Sequence, residues 1–181
     1  MVKELEDTPH DEVAVVLDAD QAAAGVDFDL QVRAAGSILR VHALRGRRAL
    51  LAVTTSPPDY RRVTSFDGEW QLARELLASV EPTGTERVEA FLTRDASPAS
   101  QAVELVVVTS AMSTRLADAL IERTLSYRPA SLVLVRGGTE AIRDPLLLRL
   151  HAAGVPLSIV GPGDDLRAKL SALPERAAAH G

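Results

Sequence analysis

Four short, uninterrupted apolar runs punctuate the chain: Val13–Leu17, Ala49–Val53, Leu105–Val108 and Leu132–Val135. Val155 to Val160 makes a fifth. β-Branched runs of this length, without polar alternation, predict strands covered on both faces. Between them the apolar residues fall at helical spacing. Val32, Ala35, Leu39 and His42 form one stripe of a predicted helix that Asp27 caps, that reaches about Arg45, and that Gly46 follows. Asp67 is the expected cap of the next helix, where Trp70, Ala73, Leu77 and Val80 recur. Ser113 precedes Leu116, Leu120 and Ile121. Asp144-Pro145 reads as an N-cap followed by proline at the first helical position, with Gly154 closing that helix. Asp164 is expected to open a last helix carrying Leu166, Leu170 and Leu173, which Pro174 ends.

Strands that alternate with helices in this way predict an α/β domain with a mostly parallel sheet and helices on both sides. Tyr60–Phe66 departs from the rule. It alternates polar and apolar residues and follows the Pro57-Pro58 turn closely, so it is expected as a short antiparallel edge strand. Pro156 removes a backbone donor near the start of the last strand, which is easiest at a sheet edge. Residues 1–174 are read as one domain and 175–181 as a flexible tail.

Composition narrows the function classes. The 181 residues are 46% hydrophobic and 25% charged, as in globular proteins. The net charge of −5 argues against a nucleic-acid surface. Arg45, Arg47, Arg48, Arg61 and Arg62 cluster locally, but with aromatics at 3% there is little to stack on bases, and these arginines are read as solvated surface. The absence of cysteine excludes disulfides, thiolate metal sites and cysteine nucleophiles. Lys3 and Lys169 are the only lysines, and neither stands in a glycine-rich turn of the P-loop or kinase type. No apolar run approaches the roughly 18 residues of a membrane span, and acidic residues follow Met1 where a signal peptide would be basic and then apolar.

In an open parallel sheet, ligands gather at the carboxyl ends of the strands, where the strand order reverses. The residues expected there are Asp18 and Asp20, Thr54 and Thr55, Thr109 and Ser110, Arg136-Gly137-Gly138, and Gly161-Pro162-Gly163. Asp18 and Asp20 are read two ways. They form a carboxylate pair able to share a hard cation, or Asp18 bonds neighbouring loop amides while Asp20 is solvated. Thr83-Gly84-Thr85-Glu86 is also read two ways. Thr83 and Glu86 have capping-box spacing, and Thr85 alternatively presents its hydroxyl to a metal. The glycine turns lack dinucleotide-binding spacing. The histidines (His10, His42, His151, His180) are scattered, no Gly-x-Ser-x-Gly elbow exists, and no catalytic triad assembles.

The succession Val2–Pro9, Asp11–Asp20, Val32–Arg40, Gly68-Glu-Trp70, Glu81–Thr85, Ala153–Pro156 and Gly163–Leu166 resembles the C-terminal von Willebrand factor A-like domain of a bacterial family known as domain of unknown function fifty-eight. The likeness covers nearly the whole chain. It implies a three-layer Rossmann-like fold whose mostly parallel six-stranded sheet has one antiparallel edge strand. It also implies an upstream portion with two membrane helices, and hence a place at the cytoplasmic face of the bacterial membrane. Relatives in that family are often encoded beside MoxR-type AAA+ ATPases and act as adaptors or assembly factors. A-domains bind partners through a divalent metal held by Asp-x-Ser-x-Ser, a threonine and a later aspartate. Here the first motif falls on Asp18-Ala19-Asp20-Gln21-Ala22, the threonine on Thr85, or else Thr83, and the later aspartate on Ser110. The resemblance thus implies a degenerate metal site of Asp18, Asp20 and Thr85, holding Mg²⁺ weakly if at all. It implies a partner-binding face of Asp18, Asp20, Thr85, Ser110 and Arg136.

Two functions follow as expectations. One is a non-enzymatic domain that binds a protein partner, an AAA+ ATPase or another A-domain protein, at the strand tips. The alternative is a metal-assisted hydrolase of a phosphoester or similar substrate, using Asp18 and Asp20 with Arg136 as the basic group.

Overall fold

The computed structural model describes residues 12–22, 26–94, 97–136, 144–171 and 173. The leading segment, Gly137-Gly138-Thr139, His10, His180 and the 175–181 tail lie outside the described residues. Six strands form one sheet in the order β3-β2-β1-β4-β5-β6. They are β1 (Val13–Leu17), β2 (Ala49–Val53), β3 (Asp59–Val63), β4 (Glu104–Thr109), β5 (Ala130–Val135) and β6 (Leu157–Val160). All neighbours run parallel except β2 and β3, so the expected antiparallel edge strand is present. Pro156 introduces β6, the opposite edge, where the missing donor costs no ladder bond.

The apolar runs are continuous because each strand is covered twice. Val13, Val15 and Leu17 face one core with α1 (Val26–Leu44), α2 (Gly68–Ser79) and α7 (Leu166–Leu170). Ala14 and Val16 face a second core with α3 (Val88–Leu92), α4 (Pro98–Gln101), α5 (Thr114–Leu125) and α6 (Pro145–Ala152). Every residue of β1, β2 and β5 is buried, at a gain of roughly 1.5–3 kcal/mol for each large aliphatic side chain. The result is a three-layer α/β fold.

Several helix starts differ from expectation by a residue or two. Asp27 lies within the first turn of α1, whose first residue is Val26. Asp67 occupies the N-cap position of α2 but makes no cap bond. Glu69 reaches back instead, and its Oε2 accepts from the Thr64 amide and hydroxyl, each at 2.6 Å, and from the Ser65 amide at 3.2 Å. Asp165, not Asp164, caps α7, while the Asp164 carboxylate accepts from the Gly161 amide. The Thr83–Glu86 capping box does not form, because α3 starts after Arg87 and Glu86 pairs with Arg94 at 2.7 Å. Ser113 and Asp144 cap α5 and α6 as expected. A side chain that can cap locally does so only where tertiary packing puts the first helical amide within reach.

The helix ends are more regular. At α1, α5 and α6 the last turn closes with paired 6→1 and 5→2 backbone bonds around one residue at positive φ. That residue is Gly46 (φ 67°) for α1 and Gly154 (φ 77°) for α6. For α5 it is Tyr127 (φ 59°), a side chain in a conformation that favours glycine. The arginine cluster is more than solvated surface: Arg47 pairs with Glu104, Arg61 with Asp59 and Arg62 with the buried Glu12.

Candidate functional site

The sheet order reverses between β1 and β4. β1 leads out to β2 on one side, and the chain returns to add β4 on the other. Leu17 of β1 pairs with both Val53 and Val108. The residues that follow, Asp18, Thr54 and Thr109, therefore come to one level at the carboxyl end of the sheet, at the switch point.

Asp18 is the centre of this rim and is 3% exposed. Its Oδ2 accepts from the Thr109 hydroxyl at 2.6 Å. Its Oδ1 accepts from the Asp20 amide at 3.2 Å and from the Thr54 hydroxyl at 3.4 Å. Thr54 Oγ1 in turn accepts from the Ala19 amide at 2.8 Å, fixing the loop that leaves β1. Burial pushes the Asp18 carboxyl above the usual carboxylate range. The Thr109 hydroxyl and the Asp20 amide pull it back, the Asp20 charge adds to the rise, and the Thr54 hydroxyl lowers it slightly.

Thr109 has a second place for its proton. Its Oγ1 lies 3.1 Å from the Ala111 carbonyl and accepts from the Ala111 amide at 3.0 Å. When Asp18 is protonated, Oδ2–H donates to Thr109 Oγ1, and the threonine hydroxyl turns to the Ala111 carbonyl. Both protonation states of Asp18 are thus satisfied within the protein, which a buried carboxyl requires.

The loop bearing Thr83 and Thr85 is tied to the same rim through Gly84. The Gly84 amide donates to the Ala19 carbonyl at 2.7 Å, and the Gln21 amide donates to the Gly84 carbonyl at 3.0 Å, a one-residue parallel bridge to Asp20. A Cβ on Gly84 would stand 2.4 Å from the Thr54 carbonyl oxygen and 2.7 Å from that of Ala19. Only glycine lets the loop lie this close. Asp20 is half-buried, with Oδ1 accepting from the Ala22 amide at 2.9 Å, while Thr85 is exposed and Ser110 half-buried beside Thr109.

Arg136 follows β5, two strand spacings or roughly 10 Å from β1. Its guanidinium pairs with Asp144 at 3.2 Å. Asp18, Asp20, Thr85 and Ser110 therefore converge on the switch point, and Arg136 stands at its flank. The residues missed were Thr54 and Thr109 as partners of Asp18, and Gly84 as the residue that ties its loop to Ala19 and Gln21. Hydroxyls directly after two apolar runs that flank an aspartate-terminated run were the available signal.

The donor set fits a hydrogen-bonded strut better than a resident divalent cation. Both Asp18 oxygens are engaged by protein donors, and Asp20 bonds its own loop. A cation on Asp18 Oδ2 would have to share that oxygen with the Thr109 hydroxyl. Among the described residues no group of three or more His, Cys, Asp or Glu side chains converges, so a cation here would rest on two carboxylates and hydroxyls. Among the described residues no histidine stands at the rim. His42 and His151 sit in the last turns of α1 and α6, which return the chain to the amino ends of β2 and β6.

No helix among the described residues is long and apolar enough to cross a membrane. Neither a protein-family model nor a curated protein matches the sequence.

Proposed function

We propose that the chain is a non-enzymatic, von Willebrand factor A-like interaction domain that docks a protein partner on the rim formed by Asp20, Thr85, Ser110 and Arg136 around the buried Asp18. The observation that carries this reading is the internal satisfaction of Asp18. The buried carboxyl spends its oxygens holding the β1, β2 and β4 tips in register, as a scaffold beneath a contact surface does. A polar rim around a rigid centre suits a reversible protein interface, where exposed polar groups fix orientation. The sequence resemblance supplies the partner class, a MoxR-type AAA+ ATPase or another A-domain protein, and a place at the cytoplasmic face of a membrane.

Biolayer interferometry between the purified chain and the MoxR-type ATPase of the same genome tests this. Asp20→Lys and Ser110→Lys should each weaken binding roughly tenfold or more, as a misplaced charge does within an interface. Arg74→Gln, on exposed α2 surface, should not. No measurable association, or association indifferent to the rim substitutions, would overturn the proposal.

A further inference from the structure

The opposite end of the sheet holds a concave feature. A cavity of about 680 Å³ opens at the amino end of β4, lined by Leu105, Thr93, Gln101, Ser126, Arg123 and Arg128 among others. The size lies within the roughly 300–1,000 Å³ of small-ligand pockets.

Its lining carries three arginines, Arg94, Arg123 and Arg128, against one carboxylate, Glu122. Arg123, on α5, and Arg128, just beyond it, donate to the same two backbone oxygens, those of Ser100 and Ala102 at the end of α4. The turn at Tyr127 brings them together, since the Arg128 amide bonds back to the Arg123 carbonyl. One guanidinium would suffice to cap the exposed carbonyls of a four-residue helix. Here two like charges converge, and among the described residues neither is paired with a carboxylate. Arg94, also in the lining, is neutralised by Glu86. Burial and the Arg128 charge hold Arg123 down to about 10, and it remains charged at neutral pH.

The two carbonyls do not exhaust the donors. Each guanidinium keeps further N–H groups on its terminal nitrogens beyond those given to Ser100 and Ala102. We propose that this cavity is an oxyanion-binding site in which Arg123 and Arg128 together take a phosphate or carboxylate group. A bound oxyanion would accept from both planar forks and cancel their mutual repulsion, the geometry for which arginine is suited. This site is independent of the rim and stands or falls separately from the docking proposal.

Titrations of the intact chain with inorganic phosphate and with succinate, each against sodium chloride at matched ionic strength, test it. The readout is the arginine Nε–H and backbone resonances of residues 100–102 and 123–128. At least one anion should give saturable shifts, and Arg128→Gln should weaken its binding roughly tenfold, the usual loss for a charge-assisted bond. Arg128 is exposed and Arg123 still caps α4, so this variant should fold. Arg74→Gln should bind as the parent does. Saturation by phosphate alone assigns a phosphate group, by succinate alone a carboxylate, and by both the shared oxyanion chemistry. No saturable shift with either anion, or equal binding by Arg128→Gln, would overturn the proposal.

Discussion

Replacing Asp18 first by asparagine and then by alanine separates its hydrogen bonding from its charge. Asparagine keeps an oxygen for the Asp20 amide and the Thr54 hydroxyl. Its Nδ2 donates to Thr109 Oγ1, whose own proton turns to the Ala111 carbonyl 3.1 Å away. The variant mimics the protonated acid, so its stability at pH 7 should lie within about 1 kcal/mol of the parent, or above it. Alanine leaves the Thr54 hydroxyl and the Asp20 amide without their acceptor and opens a small void. At about 1–3 kcal/mol for each unsatisfied buried group, and with Asp20 only half-buried, the expected loss is about 2–4 kcal/mol.

Urea unfolding at a series of pH values supplies the second readout. The folded Asp18 carboxyl sits above its ordinary value of 3.8, so the native state holds the proton more tightly than the unfolded chain. Its stabilising contribution is full below that ordinary value and is lost as pH rises through the folded value. Glu69, held low by the Thr64 hydroxyl and amide, acts with the opposite sign, so the parent must be compared with Asp18→Asn and not read alone. Relative to that variant, the parent should lose stability from acid toward neutral pH. Parallel pH profiles, or asparagine costing as much as alanine, would refute the account of the rim.

Gly84→Ala should destabilise by about 2–4 kcal/mol, because its Cβ meets backbone oxygens that cannot rotate away and the two bonds through Gly84 must lengthen; Gly68→Ala, where a Cβ meets nothing within 4 Å, is the control in the same denaturation series. Tyr127→Gly should stabilise by about 0.5–1 kcal/mol, since 97% of the side chain is exposed and only the positive-φ strain is lost; a lower urea midpoint would count against it. Gln31 is fully buried with no partner for either side-chain polar atom among the described residues, so Gln31→Met should raise stability by about 1 kcal/mol or more, and a loss measured by calorimetry would contradict this. Thermal melts in Mg²⁺, Mn²⁺, Ca²⁺ and EDTA should coincide, because Asp18 is 3% exposed and both its oxygens already hold protein donors; a metal-dependent rise abolished by Asp18→Ala would restore the metal site.

The hydrophobic pattern by itself determined that this chain is α/β, where its strands lie, and that an antiparallel edge follows the Pro57-Pro58 turn, although that strand spans Asp59–Val63 and not the expected Tyr60–Phe66. Those features are local: an apolar run too short for a helix and without polar alternation must be a strand covered twice, wherever it sits in the sheet. It also placed Asp18 at a strand tip, because an acidic residue directly after a buried strand marks where the chain reaches the surface level. The α1 stripe shows the limit. Its buried face includes Gln31, Ala34 and Ile38, and a polar residue in that series is invisible to hydrophobic periodicity. The same holds for Asp27 and Asp164, each chemically fit to cap but displaced by where packing starts the helix, and for Asp67, which holds the N-cap position without making the bond.

Only the tertiary structure decided what Asp18 does. Its partners Thr54 and Thr109 lie 36 and 91 residues away and become neighbours because β2 and β4 flank β1. The convergence of Arg123 and Arg128 on the Ser100 and Ala102 carbonyls also spans more than 20 residues. Periodicity records which side of an element is buried. Which donor then meets which acceptor depends on the order and register of elements far apart in sequence, and side-chain chemistry alone does not encode that.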